Sequence, residues 1–363
     1  MVVAAHGDGD VFFGQLVESR HCAMFDLIIV GGGPAGLAAA LSAKRHGLEY
    51  LVVERGQIAN TVQGYPFGRR LFSSSDEVEL VQGALSAVEK PTREMVIEHY
   101  ADLVAKEGLR VRTSEEVLRI KRESEGLVAK TNRSEYESHA VLVAVGGFGR
   151  RRRLNVPGEE LPIVSHRFVD AHPFQAKRVL VVGGGNSAAE AALSLAEAGA
   201  HVALSIRRPS IEAADESDKS ATYHFVAGAT RAKIKPWVLE PLQRAIEEGR
   251  IELIAWSEVR EIHASHVLLL CRGESGDQYR EFICDNVFTL IGADPDTRLL
   301  EEAGAEIAAD GRPVYNADTY ETTVPGIYVG GHLTRDLHLK NAVKTARRIV
   351  DRVAARVLAE NVI

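Results

Sequence analysis

Unbroken apolar runs, each short enough for a single strand, recur along this chain and hand over to alanine-rich stretches with helical spacing. Phe25–Val30 is the first such run; a glycine-rich turn, a helix over 37–46 and a strand over 51–53 follow. Runs without polar alternation suit parallel strands covered on both faces, so this opening predicts a βαβ unit. The same order returns at 178–182, 188–198 and 201–206. Between the copies, helical periodicity occupies 93–107, and strands are expected over 109–113, 115–122, 127–131 and 140–145. A polar stretch without periodicity, 209–233, reads as a loop. Strands over 251–256, 266–271 and 285–291 carry the chain back to the first unit, and a strand at 327–329 and an amphipathic helix over 339–358 complete it.

The pattern predicts an α/β chain of two Rossmann-like dinucleotide-binding domains, the second inserted into a discontinuous first. The expected divisions are an N-terminal extension over 1–23, a first domain over 24–152 and 286–363, and an inserted domain over 153–285. A length of 363 residues fits this, since a single core rarely grows far beyond about 250 residues.

Hydrophobic content of 45% and charged content of 26% are those of a globular protein, and a formal charge of −7 argues against a nucleic-acid surface. No apolar run reaches the roughly 20 residues that span a bilayer, so no membrane association is expected. Residues 1–23 lack the basic start and apolar core of a secretory signal, and Met24 directly precedes the first strand, where a second start would fit. Cys22, Cys271 and Cys284 show neither CxxC nor metal-ligand spacing. A cytoplasmic protein without a metal site is expected.

The chemistry lies in the two turns. Gly31-Gly32-Gly33-Pro34-Ala35-Gly36 and Gly183-Gly184-Gly185-Asn186-Ser187-Ala188 each join a strand to a helix. Glycines there allow a tight turn, close approach of backbone to a pyrophosphate, and tight helix–strand packing, while the helix N-terminus offers positive dipole to the phosphates. Glu54, with Arg55 beside it, ends the strand after the first turn, where an acid accepts hydrogen bonds from an adenosine ribose and repels a 2′-phosphate. Arg207 and Arg208 end the strand after the second turn, where guanidinium groups favour a 2′-phosphate and hence NADPH over NADH. A solvated arginine pair is the plainer alternative. Two dinucleotides held at once imply electron transfer between them.

Val-Leu-Val-Ala-Val-Gly-Gly at 141–147 and Val-Pro-Gly-Ile-Tyr-Val-Gly-Gly-His at 324–332 resemble motifs of the thioredoxin reductase-like flavoproteins, and the resemblance runs from Met24 to the C-terminus. It implies FAD against Gly31, Gly33, Pro34, Ala35, Gly36, Glu54, Arg55, Gly146, Gly331 and His332. It implies NADPH against Gly183, Gly185, Asn186, Ser187, Ala188, Arg207 and Arg208. Within that group the chain resembles the bacillithiol-disulfide (bacilliredoxin) reductase family. The residues concerned are 72–75, 90–94, 165–166, 172–174, Ile234-Lys235-Pro236-Trp237 and Gly311-Arg312-Pro313. Read alone, 72–75 is a turn or helix cap, 90–94 a helix start with Pro91 near its first position, and Trp237 a packing anchor.

The chain departs from these relatives at the thiols. Counting back from Gly183, the CxxC pair of thioredoxin reductases falls at His166 and Val169, and the acid that follows it at Asp170. The bacillithiol-type relatives carry a cysteine in the first glycine turn, where this chain has Ala35. Cys271 and Cys284 read as core residues. His332 replaces an aspartate that relatives place against the flavin. His166, Asp170 and His172 remain as proton-donor candidates; Asp170 is equally readable as a helix or turn cap, and a lone histidine is more often structural. The basic segment Arg150–Arg153 lies where the chain first leaves the opening domain. The resemblance implies a homodimer that reduces a small-molecule disulfide. A reductase of a carrier such as ferredoxin or of a quinone, and a non-catalytic flavin-based redox sensor, are the alternatives.

Overall fold

The computed structural model describes residues 24–85, 88–211, 234–273, 276–335 and 339–360. The expected extension 1–23, Cys22 with it, and positions 212–233 of the expected loop lie outside the described residues.

The chain opens with β1 (Phe25–Val30), α1 (Pro34–Arg45) and β2 (Tyr50–Val53), the strands running parallel. All of β2 and the last four residues of β1 are buried, as strands covered on both faces require. Two short helices follow, α2 (Asn60–Gln63) and α3 (Ser75–Val78); Ser74 and Glu77 form a capping box on α3, which bears out the cap reading of 72–75. In α4 (Arg93–Glu107) the cap is Thr92, which accepts from the Met95 N–H, so Pro91 sits one residue before the cap rather than inside the first turn. Then come β3 (Val111–Arg112), β4 (Val117–Arg122), β5 (Leu127–Thr131) and β6 (Glu135–Val143). β4 starts later than expected because Glu115 turns inward, its Oε1 accepting from Thr131 Oγ1 and Tyr136 OH. β6 changes character along its length. Its first residues pair antiparallel with β5, and its buried last four run parallel to β1.

Through β7 (Arg150–Arg151) the chain enters a second sheet with β8 (Val164–Ser165), β9 (Arg178–Val182), α5 (Asn186–Glu197), β10 (His201–Ser205), α6 (Pro236–Glu247) and β11 (Ile251–Ile254). An antiparallel trio, β12 (Ser257–Ile262), β13 (His266–Cys271) and β14 (Gln278–Ile283), precedes β15 (Asn286–Thr289). The second sheet has the order β11-β10-β9-β15-β8. Next, β16 (Ala293–Asp294) pairs antiparallel with β7, α7 (Arg298–Glu302) follows, β17 (Ile327–Val329) rejoins the first sheet beside β6, and α8 (Leu339–Glu360) packs on α1.

The strand expected at 285–291 to lead home stays in the second sheet: β15 runs parallel to β9, with Val287 opposite Leu180. Its apolar residues are covered on both faces there, Phe288 by the α5 side and Val287 by the β12–β14 side. The return to the first sheet therefore falls at β16, beside the outgoing β7. The helix α6 buries Val238, Leu239, Leu242 and Ala245 at helical spacing in spite of Pro241, whereas β12 is broken by a register shift between Val259 and Glu261 and β14 is an almost wholly exposed edge without alternation.

Candidate functional site

The two glycine turns have the same geometry. Gly31 has φ +112°, and a Cβ on it would stand 2.5 Å from the Ala144 carbonyl oxygen; Gly183 has φ +144°, and its Cβ would stand 2.4 Å from that of Leu290. A Cβ on Gly36 would meet the Gly31 carbonyl at 1.9 Å, so α1 touches its strand only because that residue is glycine. Gly33 and Gly185 hold the N-cap positions of α1 and α5 in extended conformation, with no side-chain cap and no acid in either first turn. Those helix ends keep backbone donors and positive dipole for an anion.

What differs is the residue that ends the next strand. Glu54 is buried; its Oε2 accepts from Gly32 N–H at 2.6 Å and its Oε1 from Gly56 N–H at 2.8 Å. Ile206 holds the corresponding place, and two residues beyond it Arg208 donates from Nη2 to the Gly184 carbonyl at 2.6 Å. Its Nη1 is buried without a hydrogen-bond partner among the described residues. Arg207 is exposed. One loop is thus braced by an anion and the other by a cation with a donor to spare, which fits a ribose hydroxyl pair at the first and a 2′-phosphate at the second.

A cavity of about 670 Å³ opens from the first turn, within the range of cofactor sites. Gly31, Gly33, Pro34, Ala35, Glu54 and Arg55 line it, and so do Gly146, Gly331 and His332. Gly36 lies just beneath, against Gly31. Gly331, at φ +66°, would bring a Cβ within 3.1 Å of the Ala35 methyl, and the His332 ring meets Phe148 edge-on at 6.1 Å. Arg312, which sequence reasoning used only as a family mark, clamps this turn. Its Nη1 donates to the His332 carbonyl at 3.0 Å and to those of Leu333 and Thr334.

In the second turn Ser187 is exposed and Ala188 is buried beneath the loop. Asn186 turns its Oδ1 away to accept from the Lys235 N–H at 2.8 Å, which ties the N-terminus of α6 to that of α5.

The second domain closes part of the cavity. Arg69 reaches from the first domain to Glu190 of α5 at 2.6 Å, both side chains largely buried, and stacks over Tyr65 and Phe72 at 4.9 and 5.1 Å. Burial pushes the Glu190 carboxyl up from its ordinary value and Arg69 pulls against that. Trp237 meets Phe72 edge-to-face at 5.8 Å. It is 50% exposed and lines the cavity with Lys235, so it is no buried packing anchor. Neither Arg69 nor Glu190 belongs to a motif, which is why spacing alone missed them.

None of the three proton-donor candidates lines the cavity. His166 lies at the domain crossing: its Nε2 accepts from Arg153 Nη1 at 3.0 Å and its Nδ1 bonds Thr289 Oγ1. Burial, then Arg153, holds it below the ordinary histidine value. Asp170 Oδ1 accepts from the His172 backbone at 3.1 Å and bonds its Nδ1 at 2.9 Å, a local turn closure. The His172 side chain is 92% exposed. No cysteine among the described residues lines the cavity. Cys284 is buried, and that burial, followed by Asp285, pushes its thiol up to about 11. Arg152 pairs with Asp294 at 2.8 Å and Arg153 with Glu160 at 2.6 Å, so these arginines serve the crossing.

Comparison with known proteins agrees with this geometry. Residues 28–331 match the family described as pyridine nucleotide-disulphide oxidoreductase. The bacilliredoxin reductase Bdr of Bacillus subtilis is 33% identical over 310 residues, 84% of this chain and 88% of that protein. A ferredoxin–NADP reductase of Ignicoccus hospitalis is 27% identical, over 86% of this chain and 90% of its own. The structure of the bacillithiol disulfide reductase Bdr from Staphylococcus aureus superposes with a TM-score of 0.81 at 29% identity, covering 92% of this chain and 99% of that one. The chain therefore belongs to the pyridine nucleotide-disulphide oxidoreductase family, as an FAD- and NADPH-dependent oxidoreductase of the thioredoxin reductase-like type.

Proposed function

We propose that this protein reduces a low-molecular-weight disulfide of the bacillithiol class, drawing electrons from NADPH through FAD. The observation that carries the reading is the single cavity that begins at the Gly31–Gly36 turn and is walled by Lys235 and Trp237 of the second domain. In this reading the first domain spans 24–151 and 293–363 and the inserted one 152–292. Gly33 and the end of α1 receive the FAD pyrophosphate, Glu54 accepts from the adenosine ribose, and Gly146, Gly331 and His332 wall the cavity beyond. Gly183, Gly185 and Ser187 receive the NADPH pyrophosphate, with Arg208, and Arg207 outside it, on the 2′-phosphate.

Bound FAD supplies the hydride acceptor and two-electron donor. The balance is one hydride from NADPH and one proton from solvent for each disulfide split into two thiols. Tyr65, Phe72 and Trp237 keep water from the wide part of the cavity, and Arg312 holds the 331–334 turn in place. With no cysteine on the cavity wall among the described residues, the reading assigns no step to a protein thiol. The same observation favours a second reading, in which the acceptor is a ferredoxin or a quinone, as the ferredoxin–NADP reductase relative suggests. A cytoplasmic homodimer accords with both.

Anaerobic mixing of the FAD-loaded protein with NADPH tests the shared half-reaction: the visible flavin absorbance bleaches within the turnover time. A flavin that stays oxidised leaves only a redox-sensing role. Reoxidation by bacillithiol disulfide, and not by ferredoxin or quinone, selects the first reading.

A further inference from the structure

Two lysines from different domains converge on one indole. Lys90 Nζ, from the segment before α4, lies 4.4 Å from the centre of the Trp237 ring, and Lys235 Nζ, at the N-cap of α6, lies 5.7 Å from it. Both lysines are half-buried. Among the described residues neither ammonium is paired with a carboxylate. Glu77 accepts from Ser74 N–H, Asp76 faces Lys340, and Glu190 holds Arg69.

Two ammonium groups within 5.7 Å of one ring centre raise a positive potential there, more strongly where part of the surrounding water is gone. The indole faces offset part of that through cation–π attraction. The rest is relieved when an anion binds beside them. Position is also fixed: Asn186 Oδ1 holds the Lys235 backbone, and Phe72 props Trp237 edge-on, so the cluster is built before a ligand arrives. Lys235 and Trp237 face the same cavity as the first glycine turn.

We propose that Lys90, Lys235 and Trp237 form the acceptor subsite, and that it selects a disulfide bearing carboxylate groups. The proposal rests on the disulfide-reductase reading above. The two ammonium groups take the carboxylates by charge-assisted hydrogen bonds, and the indole takes the carbon skeleton, leaving the sulfur atoms inside the cavity. A neutral disulfide gains only the indole contact. Bacillithiol disulfide, with a dicarboxylate malyl group on each half, has the required charge.

The test is calorimetric titration of the FAD-loaded, NADPH-free protein with bacillithiol disulfide and with neutral bis(2-hydroxyethyl) disulfide. Lys90→Ala and Lys235→Ala are each expected to weaken bacillithiol disulfide binding roughly tenfold, and Lys90→Arg and Lys235→Arg to restore it to within about threefold. Binding of the neutral disulfide stays put. In turnover, KM for bacillithiol disulfide rises while kcat and KM for NADPH hold.

Unchanged affinity in the alanine variants, equal losses for both disulfides, no binding by the wild type, or a rise in KM for NADPH instead would each overturn the subsite. The two readings fail separately. Binding with the expected pattern but no NADPH oxidation sinks the reductase reading and leaves the subsite. Normal turnover with unchanged KM in both variants does the reverse.

Discussion

Arg69 and Glu190 form an ion pair across the two domains, 2.6 Å apart and shielded from solvent by the Tyr65 and Phe72 rings. Removing one partner of such a pair strands the other in a desolvated place. Arg69→Ala is expected to cost about 3 kcal/mol, and a double-mutant cycle with Glu190→Gln in denaturant unfolding of the FAD-loaded protein should give a coupling above about 1 kcal/mol. Strictly additive effects would show that the two side chains are merely neighbours.

Arg208 has a spare buried donor over the second glycine turn, whereas Arg207 is exposed. Arg208→Ala should lower the preference for NADPH over NADH by about tenfold or more, through KM, with Arg207→Ala doing less. A preference that survives both substitutions together removes the 2′-phosphate assignment.

His166 is held below the ordinary histidine value by burial and then by Arg153. A depressed value means that the folded protein binds this proton less readily than the unfolded chain. The corresponding stability is present above the ordinary value of about 6.5 and is lost as pH falls below it. Melting temperatures should therefore drop as pH falls below about 6.5, and His166→Gln, which keeps an acceptor for Arg153, should flatten part of that drop. Parallel curves for the two proteins would count against it.

Cys284 is buried with its thiol pushed up to about 11, so near pH 8 it is protonated and shielded. Titration with a thiol reagent should count the same number of reactive cysteines in the native wild type and in Cys284→Ala, and one fewer in the variant once both are denatured. Cys284→Ala should keep full turnover. A native count that differs by one, or lost activity, would count against Cys284 as a core residue.

Much of this was legible in the chain. Unbroken apolar runs and period-3.6 signals are strong where an element is buried, so β1, β2, β9 and β10 and both glycine turns read directly. Glu54 and Arg208 each follow the strand after a glycine turn and bond that turn's loop, whereas Arg207 is exposed. The rest depends on meetings between distant segments. Nothing local in Arg69 names Glu190 as its partner, and Lys90 and Trp237 gain meaning only when two domains bring them together. His166 and Asp170 show the converse. Their alignment with a CxxC-acid segment put them forward, yet one braces a crossing and the other closes a turn. β15 was assigned to the wrong sheet because a buried strand looks alike in either; only hydrogen-bond partners tell them apart.

At the β7–β16 crossing, the Arg152 N–H donates to the Gly292 carbonyl at 3.1 Å. The inserted domain thus enters and leaves through one point. An insertion whose two ends touch leaves only a short gap in its host's chain, since the closure entropy of its own long chain is met by its own fold. The chain is, in this sense, one nucleotide-binding unit set into a turn of another, and beyond the crossing the Arg69–Glu190 pair ties the two together.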